Sequence, residues 1–277
     1  MRPGSSTSLA ARTDPATSYS DRVADRLRSL WDFSDLDGSE QRLRGQLTEE
    51  SEDAGRAEVV TQLARVEGLR ADFDACERLL GEAEGLAGSS DVARVRIDLE
   101  RGRKLRSSGD GPAALPLLEA AFERARASGE WFLAGDAAHM AAIADERVAV
   151  EWTERGLELA AAEPDAAYWA GPLLNNLGWH FYERGDYDAA LDAFEQALAA
   201  RERDLDRPAE IEIARYCVGK SLRALGRPEE AAPLLEQCIA NSEPDFYFHE
   251  ELAEIYKALG RDDEAEQQAE LAAGLKE

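Results

Sequence analysis

The chain has 277 residues, and its 57 acidic against 32 basic side chains give a formal net charge of −25 at pH 7. A surface this acidic repels phosphate groups, which argues against general binding of nucleic acid or of an anionic membrane. Three widely spaced cysteines without a CxxC pair do not support a disulfide framework or a zinc site, and no stretch approaches the run of about 18 apolar residues that spans a membrane. We therefore expect a cytoplasmic protein; the acid excess would also suit a salt-rich host, and the sequence leaves that alternative open.

Three regions follow one another along the chain. Residues 1–18 are rich in Ser, Thr, Pro and Ala and lack the apolar core of a signal peptide, so we expect a disordered tail. Residues 19–56 predict an irregular helical cap, with a break at 35–38 and a second helix capped by Ser39. Residues 57–277 predict paired helices, because the residue types that favour helix dominate and β-branched residues are scarce.

A pattern of small and apolar residues recurs within the third region. Its clearest copy is the set Leu177, Gly178, Phe181, Gly185, Tyr187, Ala190, Phe194 and Ala197. The same spacings return from Val218 and again, 34 residues later, from Leu252. Weaker copies lie around Ala64 and Gly102, and a degenerate unit spans Met140–Pro164. Recurrence at about this period indicates a repeat architecture.

The spacing within a unit has a physical reason. Small residues at the eighth and twentieth places, such as Gly178 and Ala190, let two antiparallel helices approach closely, and larger residues such as Phe194 fill the space between them. A glycine at the fifteenth place, such as Gly185, accepts the positive φ that ends the first helix. One pair cannot bury its apolar face alone, so we expect successive pairs to stack.

The set that begins at Leu177 resembles the signature of the tetratricopeptide repeat. This resemblance implies an all-α fold, a right-handed superhelical solenoid of about five to six antiparallel helix pairs over 57–277. The phrases around Gly178 and Glu243–Leu252 are also similar to bacterial repeat proteins of uncharacterised function. The chain departs from the family at the fourth place of the unit, often Trp, which is Leu174, Arg215 and His249 here. The departure blurs the unit boundaries but does not change the expected fold.

The resemblance also implies which side chains line the concave groove formed by the first helices of the units. They are Asn175, Asn176, Trp179, Tyr182, Tyr216, Lys220, Arg223, Arg103 and Arg106, with Gln62, Arg65 and Arg96 at similar places upstream. Basic residues in an acidic chain favour an acidic segment or a free C-terminus as the bound group, and paired asparagines can hydrogen-bond to an extended peptide. The alternative is that the aromatic side chains pack between units and the arginines pair with neighbouring glutamates.

One member of this set has a known counterpart in the family. Asn176 stands where repeat proteins that clamp a terminal carboxylate carry a peptide-binding asparagine. The rest of that clamp is missing, because Tyr216, Cys217 and Glu251 occupy places that would need Lys or Arg. A receptor for chaperone tails is therefore not expected.

The sequence contains no recognisable catalytic or metal-binding motif. His139, His180 and His249 lie in different units, the pair His180 and Glu183 has no second copy, and neither GxSxG nor a phosphate-binding glycine loop occurs. We therefore expect no enzymatic activity, metal or cofactor. The predicted function is a scaffold that binds a peptide or helix of another protein, and the alternative is a regulator that senses a small ligand or a signalling peptide. The exposed face of the last unit leaves a monomer or a weak homodimer open.

Overall fold

The fold consists of α-helices linked by short turns. The computed structural model describes residues 25–203 and 207–276; the predicted tail, residues 1–18, lies outside them. The helices are α1 Leu36–Glu49, α2 Asp53–Leu69, α3 Phe73–Ala87, α4 Asp91–Ser107, α5 Gly111–Ser128, α6 Trp131–Ala144, α7 Ala149–Ala162, α8 Ala170–Tyr182, α9 Tyr187–Arg201, α10 Pro208–Ala224, α11 Pro228–Asn241, α12 Phe246–Ala258 and α13 Asp262–Gly274. Short 3₁₀ helices span Arg28–Leu30, Glu146–Val148 and Pro164–Trp169. No strand occurs in the described ranges, and the all-α prediction is confirmed.

After α1, the helices pack as successive pairs. They are α2 with α3, α4 with α5, α6 with α7, α8 with α9, α10 with α11, and α12 with α13. The first helices of the pairs also contact one another, α2 with α4, α4 with α6, α6 with α8, and α10 with α12. We call the surface made by α2, α4, α6, α8, α10 and α12 the groove. The predicted stack of helix pairs is confirmed, with six pairs in the described part of the chain.

Glycines at the eighth place of the unit let the two helices of a pair touch. A Cβ atom on Gly178 would lie 2.4 Å from Cε1 of Phe194. One on Gly219 would lie 2.1 Å from Cδ2 of Leu235. Phe194 and Leu235 are fully buried. The space that each glycine leaves is therefore occupied by the large residue of the second helix, as the spacing predicts.

The turn after five of the six first helices holds a residue with positive φ; the exception follows α6, where Asp145 has φ of −146°. Gly109, Gly185, Gly226 and Gly260 have φ values between 71° and 94° at this place. After α2 the same place is taken by Ala71, with φ of 62°. The left-handed region brings the Cβ of an L-residue close to the following carbonyl oxygen, at a cost of about 1 kcal/mol or more. The first unit therefore carries backbone strain that the later units avoid.

Replacing Ala71 by glycine is expected to raise the free energy of unfolding by about 1 kcal/mol, because it removes this strain. The matched control is Gly185→Ala, which introduces the same strain at a place where an added Cβ meets no atom within 4 Å. It is expected to lower the free energy of unfolding by about the same amount. Urea denaturation of both variants measures the two effects. An unchanged midpoint for Ala71→Gly would show that the turn relaxes at no cost.

The N-terminal cap differs from the sequence prediction. The predicted break lies earlier than expected, at 31–35, because Asp35 accepts a hydrogen bond from the Gly38 N–H at 2.9 Å and α1 begins at Leu36. Ser39 lies buried inside α1, where its hydroxyl oxygen accepts a hydrogen bond from the Asp32 N–H at 2.8 Å. The aspartate stands one turn earlier and satisfies the first free N–H groups, so the helix starts before the serine.

Candidate ligand-binding groove

The nine predicted groove residues lie on three first helices. Arg103 and Arg106 lie on α4, Asn175, Asn176, Trp179 and Tyr182 on α8, and Tyr216, Lys220 and Arg223 on α10. Arg106 is exposed and the other eight are partly buried. Their spacing of three or four residues along α8 and α10 places them on one side of each helix.

Three of these residues meet in one cleft of about 300 Å³ between α4, α6, α7 and α8, which we call the central cleft. Arg106, Asn176 and Trp179 line it. The amide nitrogen of Asn176 lies 2.8 Å from Nε2 of His139, and Nε of Arg106 donates a hydrogen bond to the carbonyl oxygen of Ile143 at 3.1 Å. A guanidinium, a carboxamide and an indole at one opening can bind a polar, extended chain.

The aromatic side chains of the groove are held by their neighbours and remain partly open to solvent. Trp179 meets Tyr182 and Phe194 edge to face, with ring centroids 5.4 Å apart in each pair. The ring of Tyr216 lies 5.6 Å from that of Phe248. The Tyr216 contact joins two units, as the alternative interpretation holds, whereas both Trp179 contacts lie within one unit. A test of binding must therefore separate lost packing from a lost binding surface.

The two basic residues on α10 share one carboxylate. Nζ of Lys220 donates a hydrogen bond to Oε2 of Glu251 at 2.7 Å, and Nε of Arg223 donates to the other oxygen. Glu251 is only 4% exposed. Burial alone would raise the pKa of Glu251, but the hydrogen bonds from Arg223 and Lys220 outweigh it and hold the pKa below its ordinary value. The positive charge expected here is largely neutralised.

Arg103 is neutralised in the same way. Its guanidinium donates a hydrogen bond to Glu100 at 3.2 Å and another to Asp136. Asp136 is buried, and its Oδ1 has no hydrogen-bond partner among the residues described. Arg106, in contrast, forms no salt bridge within 25–203 and 207–276. The expected positive charge of the groove is therefore smaller than the sequence suggests. Three of the four predicted basic residues pair with a carboxylate on the first helix of the following unit: Arg103 with Asp136, and Lys220 and Arg223 with Glu251.

Asn175 faces α10 instead of the central cleft, since Sγ of Cys217 lies 3.7 Å from its Oδ1. Burial raises the pKa of the Cys217 thiol to about 12. Cys76 and Cys238 are buried too, and burial raises their pKa values to about 11 and about 12. All three are free thiols that pack as small apolar side chains, as the sequence indicates.

A segment that sequence reasoning did not place in the groove covers its N-terminal end. This N-terminal strap, residues 25–33, lies against α2 and α4. Asp25 pairs with the buried Arg96 at 2.5 Å, and Nε1 of Trp31 donates a hydrogen bond to the Gln62 side chain at 3.0 Å. The predicted groove places at Gln62 and Arg96 are therefore occupied by the chain itself.

The strap also reaches the third and fourth helix pairs. The guanidinium of Arg28 lies 5.3 Å from the ring centre of Phe132 on α6. It lies 4.7 Å from that of Tyr168, in the 3₁₀ helix before α8. Such cation–π contacts stabilise a partly covered arginine without a carboxylate partner. The open part of the groove thus begins beyond the strap, at α4 and α6.

Residues 25–203 and 207–276 contain neither a metal-binding group of side chains nor a membrane-spanning helix. No group of three or more His, Cys, Asp or Glu side chains among them is arranged to hold a metal ion. None of their helices combines the length and the apolar character that crossing a membrane requires.

The family comparison matches two segments of the chain. Two family models, each described as a tetratricopeptide repeat, match residues 145–203 and 219–276. These segments contain the copies of the pattern that begin at Leu177 and Leu252, all but the first residue of the copy that begins at Val218, and much of the degenerate unit. No curated protein matches the chain by sequence.

Solved structures with a similar fold cover most of the chain. A signal transduction ATPase with numerous domains and a tetratricopeptide repeat sensor, from Pyrococcus horikoshii, matches 85% of this chain at 15% identity and a TM-score of 0.67; the chain spans 39% of that protein. The apo form of the quorum sensor NprR from B. thuringiensis matches 88% of this chain and 83% of its own, at 13% identity and a TM-score of 0.54. A Rap protein complexed with competence and sporulation factor matches 88% of this chain and 71% of its own, at 15% identity and a TM-score of 0.55. At such identities the likeness shows the fold alone. The family matches identify residues 145–203 and 219–276 as tetratricopeptide repeats, and the helix pairs before them stack in the same way.

Proposed function

We propose that the protein is a non-enzymatic scaffold whose groove binds a peptide or helix of another protein at the central cleft. The meeting of Arg106, Asn176 and Trp179 in one opening of about 300 Å³ carries this proposal. The carboxamide can donate to and accept from a peptide backbone, and the guanidinium can bind an acidic side chain or a free C-terminus. A partly exposed indole between them is the kind of side chain that dominates binding energy at interfaces.

A second candidate function is a regulator whose solenoid responds to a signalling peptide. The Rap protein with a similar fold is complexed with competence and sporulation factor, and NprR is described as a quorum sensor. Their identities to this chain carry over neither a ligand nor contact residues. They favour short peptides as the first ligands to test.

The double change Trp179→Ala and Asn176→Ala is expected to weaken capture of the partner by about 30-fold or more, the effect of losing a hot-spot residue. Trp179→Phe keeps a ring against Phe194 and separates binding from packing. Leu271→Ala, at an exposed position of α13 outside the groove, is the matched control. Quantitative mass spectrometry of captured proteins and circular dichroism are measured for each variant.

Equal capture by the wild type and the double variant would overturn the site assignment. Loss of helicity in the double variant, together with full capture by Trp179→Phe, would assign Trp179 to the core. A thermal-shift screen with short peptides separates the two functions, because a peptide at 100 times its Kd adds about 2.7 kcal/mol of stability. A regulator should show such a shift, whereas a scaffold that needs a longer partner segment should not.

A further inference from the structure

Two arginines of the groove, Arg65 and Arg106, form no salt bridge within residues 25–203 and 207–276. The guanidinium of Arg65 lies 5.3 Å from the ring centre of Trp31 and 5.2 Å from that of Phe33, both in the strap. Within the described residues, that of Arg106 donates only to the carbonyl oxygen of Ile143. In a chain of net charge −25, both cations thus lie on the groove without a salt bridge to any described residue.

Both arginines line a second cleft, of about 160 Å³, which we call the anion cleft. It lies between α2, α3, α4 and α6, and Arg106 belongs to both this cleft and the central cleft. Arg103 and Lys104 supply two further cations to its wall, and Glu100 is the one carboxylate among the lining residues. The volume suits one side chain or a small oxyanion rather than a helix.

The cations outnumber the acids even when the partners outside the cleft are included. Arg103 forms salt bridges with Glu100, which lines the cleft, and with Asp136, which does not. Lys104 forms a salt bridge with Glu77 on α3. Four cations thus face three carboxylates, and the two cations without a salt bridge among the described residues are Arg65 and Arg106. The cleft also contacts the buried side chains of Cys76 and Met140, so a bound charge would be screened less than in water.

The protonation of neighbouring groups reflects this excess. Burial lowers the pKa of the Arg65 guanidinium and the charge of Arg103 lowers it further, while Glu100 and Asp136 raise it. Burial lowers the pKa of His139 most, Asp136 raises it, and Arg103, Arg106 and Arg65 lower it again. When an anion binds among these cations, it favours the charged form of each basic group and raises its pKa.

We propose that the anion cleft binds an anionic oxygen group of the ligand, a carboxylate or a phosphate monoester, between Arg65 and Arg106. This inference rests on the proposed function and names the chemistry that the bound segment carries beside the central cleft. Guanidinium groups bind both kinds of oxyanion with paired hydrogen bonds. The strap takes part, because Trp31 and Phe33 hold the Arg65 guanidinium in place from the other side.

The direct test uses inorganic phosphate and glutarate as probes on the whole protein. The Nε–Hε resonances of ¹⁵N-arginine-labelled protein are followed during titration at constant ionic strength and assigned with Arg65→Gln and Arg106→Gln. Arg65 and Arg106 should shift saturably with a common Kd, and Arg106→Gln should weaken binding at Arg65 by about tenfold, the loss of one charge-assisted hydrogen bond. Arg78, an exposed arginine of α3, is the internal control. Shifts at Arg65 and Arg106 that grow linearly and match those of Arg78 would overturn the inference.

A second test distinguishes the sources of the anion and separates this inference from the proposed function. Four pools of otherwise randomised octapeptides carry Glu, phosphoserine, Gln or Lys at one fixed position. The Glu or the phosphoserine pool should be retained about tenfold better than the Gln and Lys pools, and whichever is higher identifies the group. Arg65→Gln with Arg106→Gln should abolish this preference, and Arg78→Gln should keep it. Equal retention of all pools, lost on Trp179→Ala, would refute the anion cleft and leave peptide binding intact; no retention of any pool would count against both.

Discussion

Lowering the pH from 7 to 4.5 is expected to reduce the free energy of unfolding by about 2 to 3 kcal/mol through one residue, His139. His139 lies on α6, and its ring is tilted by 34° against that of Trp169, with the ring centroids 5.2 Å apart. Burial lowers its pKa most, and the nearby Asp136 raises it. The arginines on α2 and α4 that face it lower it again, and the outcome is a pKa of about 4 instead of 6.5.

The direction follows from which state binds the proton. Between about pH 6.5 and about pH 4 the imidazole is charged in the unfolded chain and neutral in the folded one, so unfolding takes up a proton. Stability is therefore highest above this window, falls as the pH decreases through it, and stops changing through this residue below it. Each unit of pKa difference corresponds to about 1.36 kcal/mol.

His139→Gln removes the titration and keeps a polar group beside Asn176. Urea denaturation at pH 7, 6, 5 and 4.5 should show a shallower pH dependence in this variant than in the wild type, by about 2 to 3 kcal/mol over the range. The matched control is His180→Gln, in a partly exposed histidine of α8, which should keep most of the wild-type slope. Parallel profiles for the wild type and His139→Gln would mean that His139 has the same pKa in the folded protein as in the unfolded chain.

The fold could be predicted because its determinants are local. Gly178 and Phe194, or Gly185 at the turn, lie within one unit, so their spacing is visible in the sequence and fixes how two helices pack. Ala71 breaks the glycine rule, but the geometry of the turn is kept, with φ of 62°. The start of α1 was misjudged because Asp35 and Ser39 both suit an N-cap, and only the tertiary contact of Ser39 with the strap decides between them.

The groove could be predicted only in part, because its electrostatics depend on contacts between units. The resemblance implies that Arg106, Asn176 and Trp179 face the groove, and all three line the central cleft. Whether a cation there is free depends on a partner far away in sequence, 31 residues for Lys220 and its glutamate. The strap is more distant still, since Asp25 lies 71 residues from Arg96. No pattern within one unit encodes such pairs, so the free arginines could not be told from the paired ones.

Glu251→Gln is expected to lower the free energy of unfolding by about 2 to 4 kcal/mol at pH 7. The change keeps the size of the side chain but leaves Lys220 and Arg223 without the carboxylate that neutralises both. Removing one partner of a fully buried ion pair costs about 3 to 5 kcal/mol, and the range is reduced here because the two cations are 22% and 29% exposed. Glu254→Gln, which breaks an exposed pair with Lys257, should cost less than about 1 kcal/mol.

The stabilisation by Glu251 depends on pH because its carboxyl group has a lower pKa in the folded protein than in the unfolded chain. Because the folded pKa of Glu251 is lowered, its stabilisation is present above the ordinary carboxyl pKa and is lost as the pH falls through the folded value. The difference between wild type and Glu251→Gln should therefore shrink as the pH falls below the ordinary carboxyl pKa of about 4.5. A Glu251→Gln variant as stable as the wild type at pH 7 would show that Lys220 and Arg223 turn to solvent.

Replacing Lys220, Arg223 and Glu251 together by methionine then decides what the trio is for. Exchanging a whole buried ion group for apolar side chains of similar size is often neutral or stabilising, so the triple variant should recover most of the stability that Glu251→Gln loses. If it also binds the peptide pools as the wild type does, the two cations hold α10 to α12 and take no part in recognition. If it is stable and binding is lost, the ligand competes with Glu251 for Lys220 and Arg223, and the groove extends from α4 to α12.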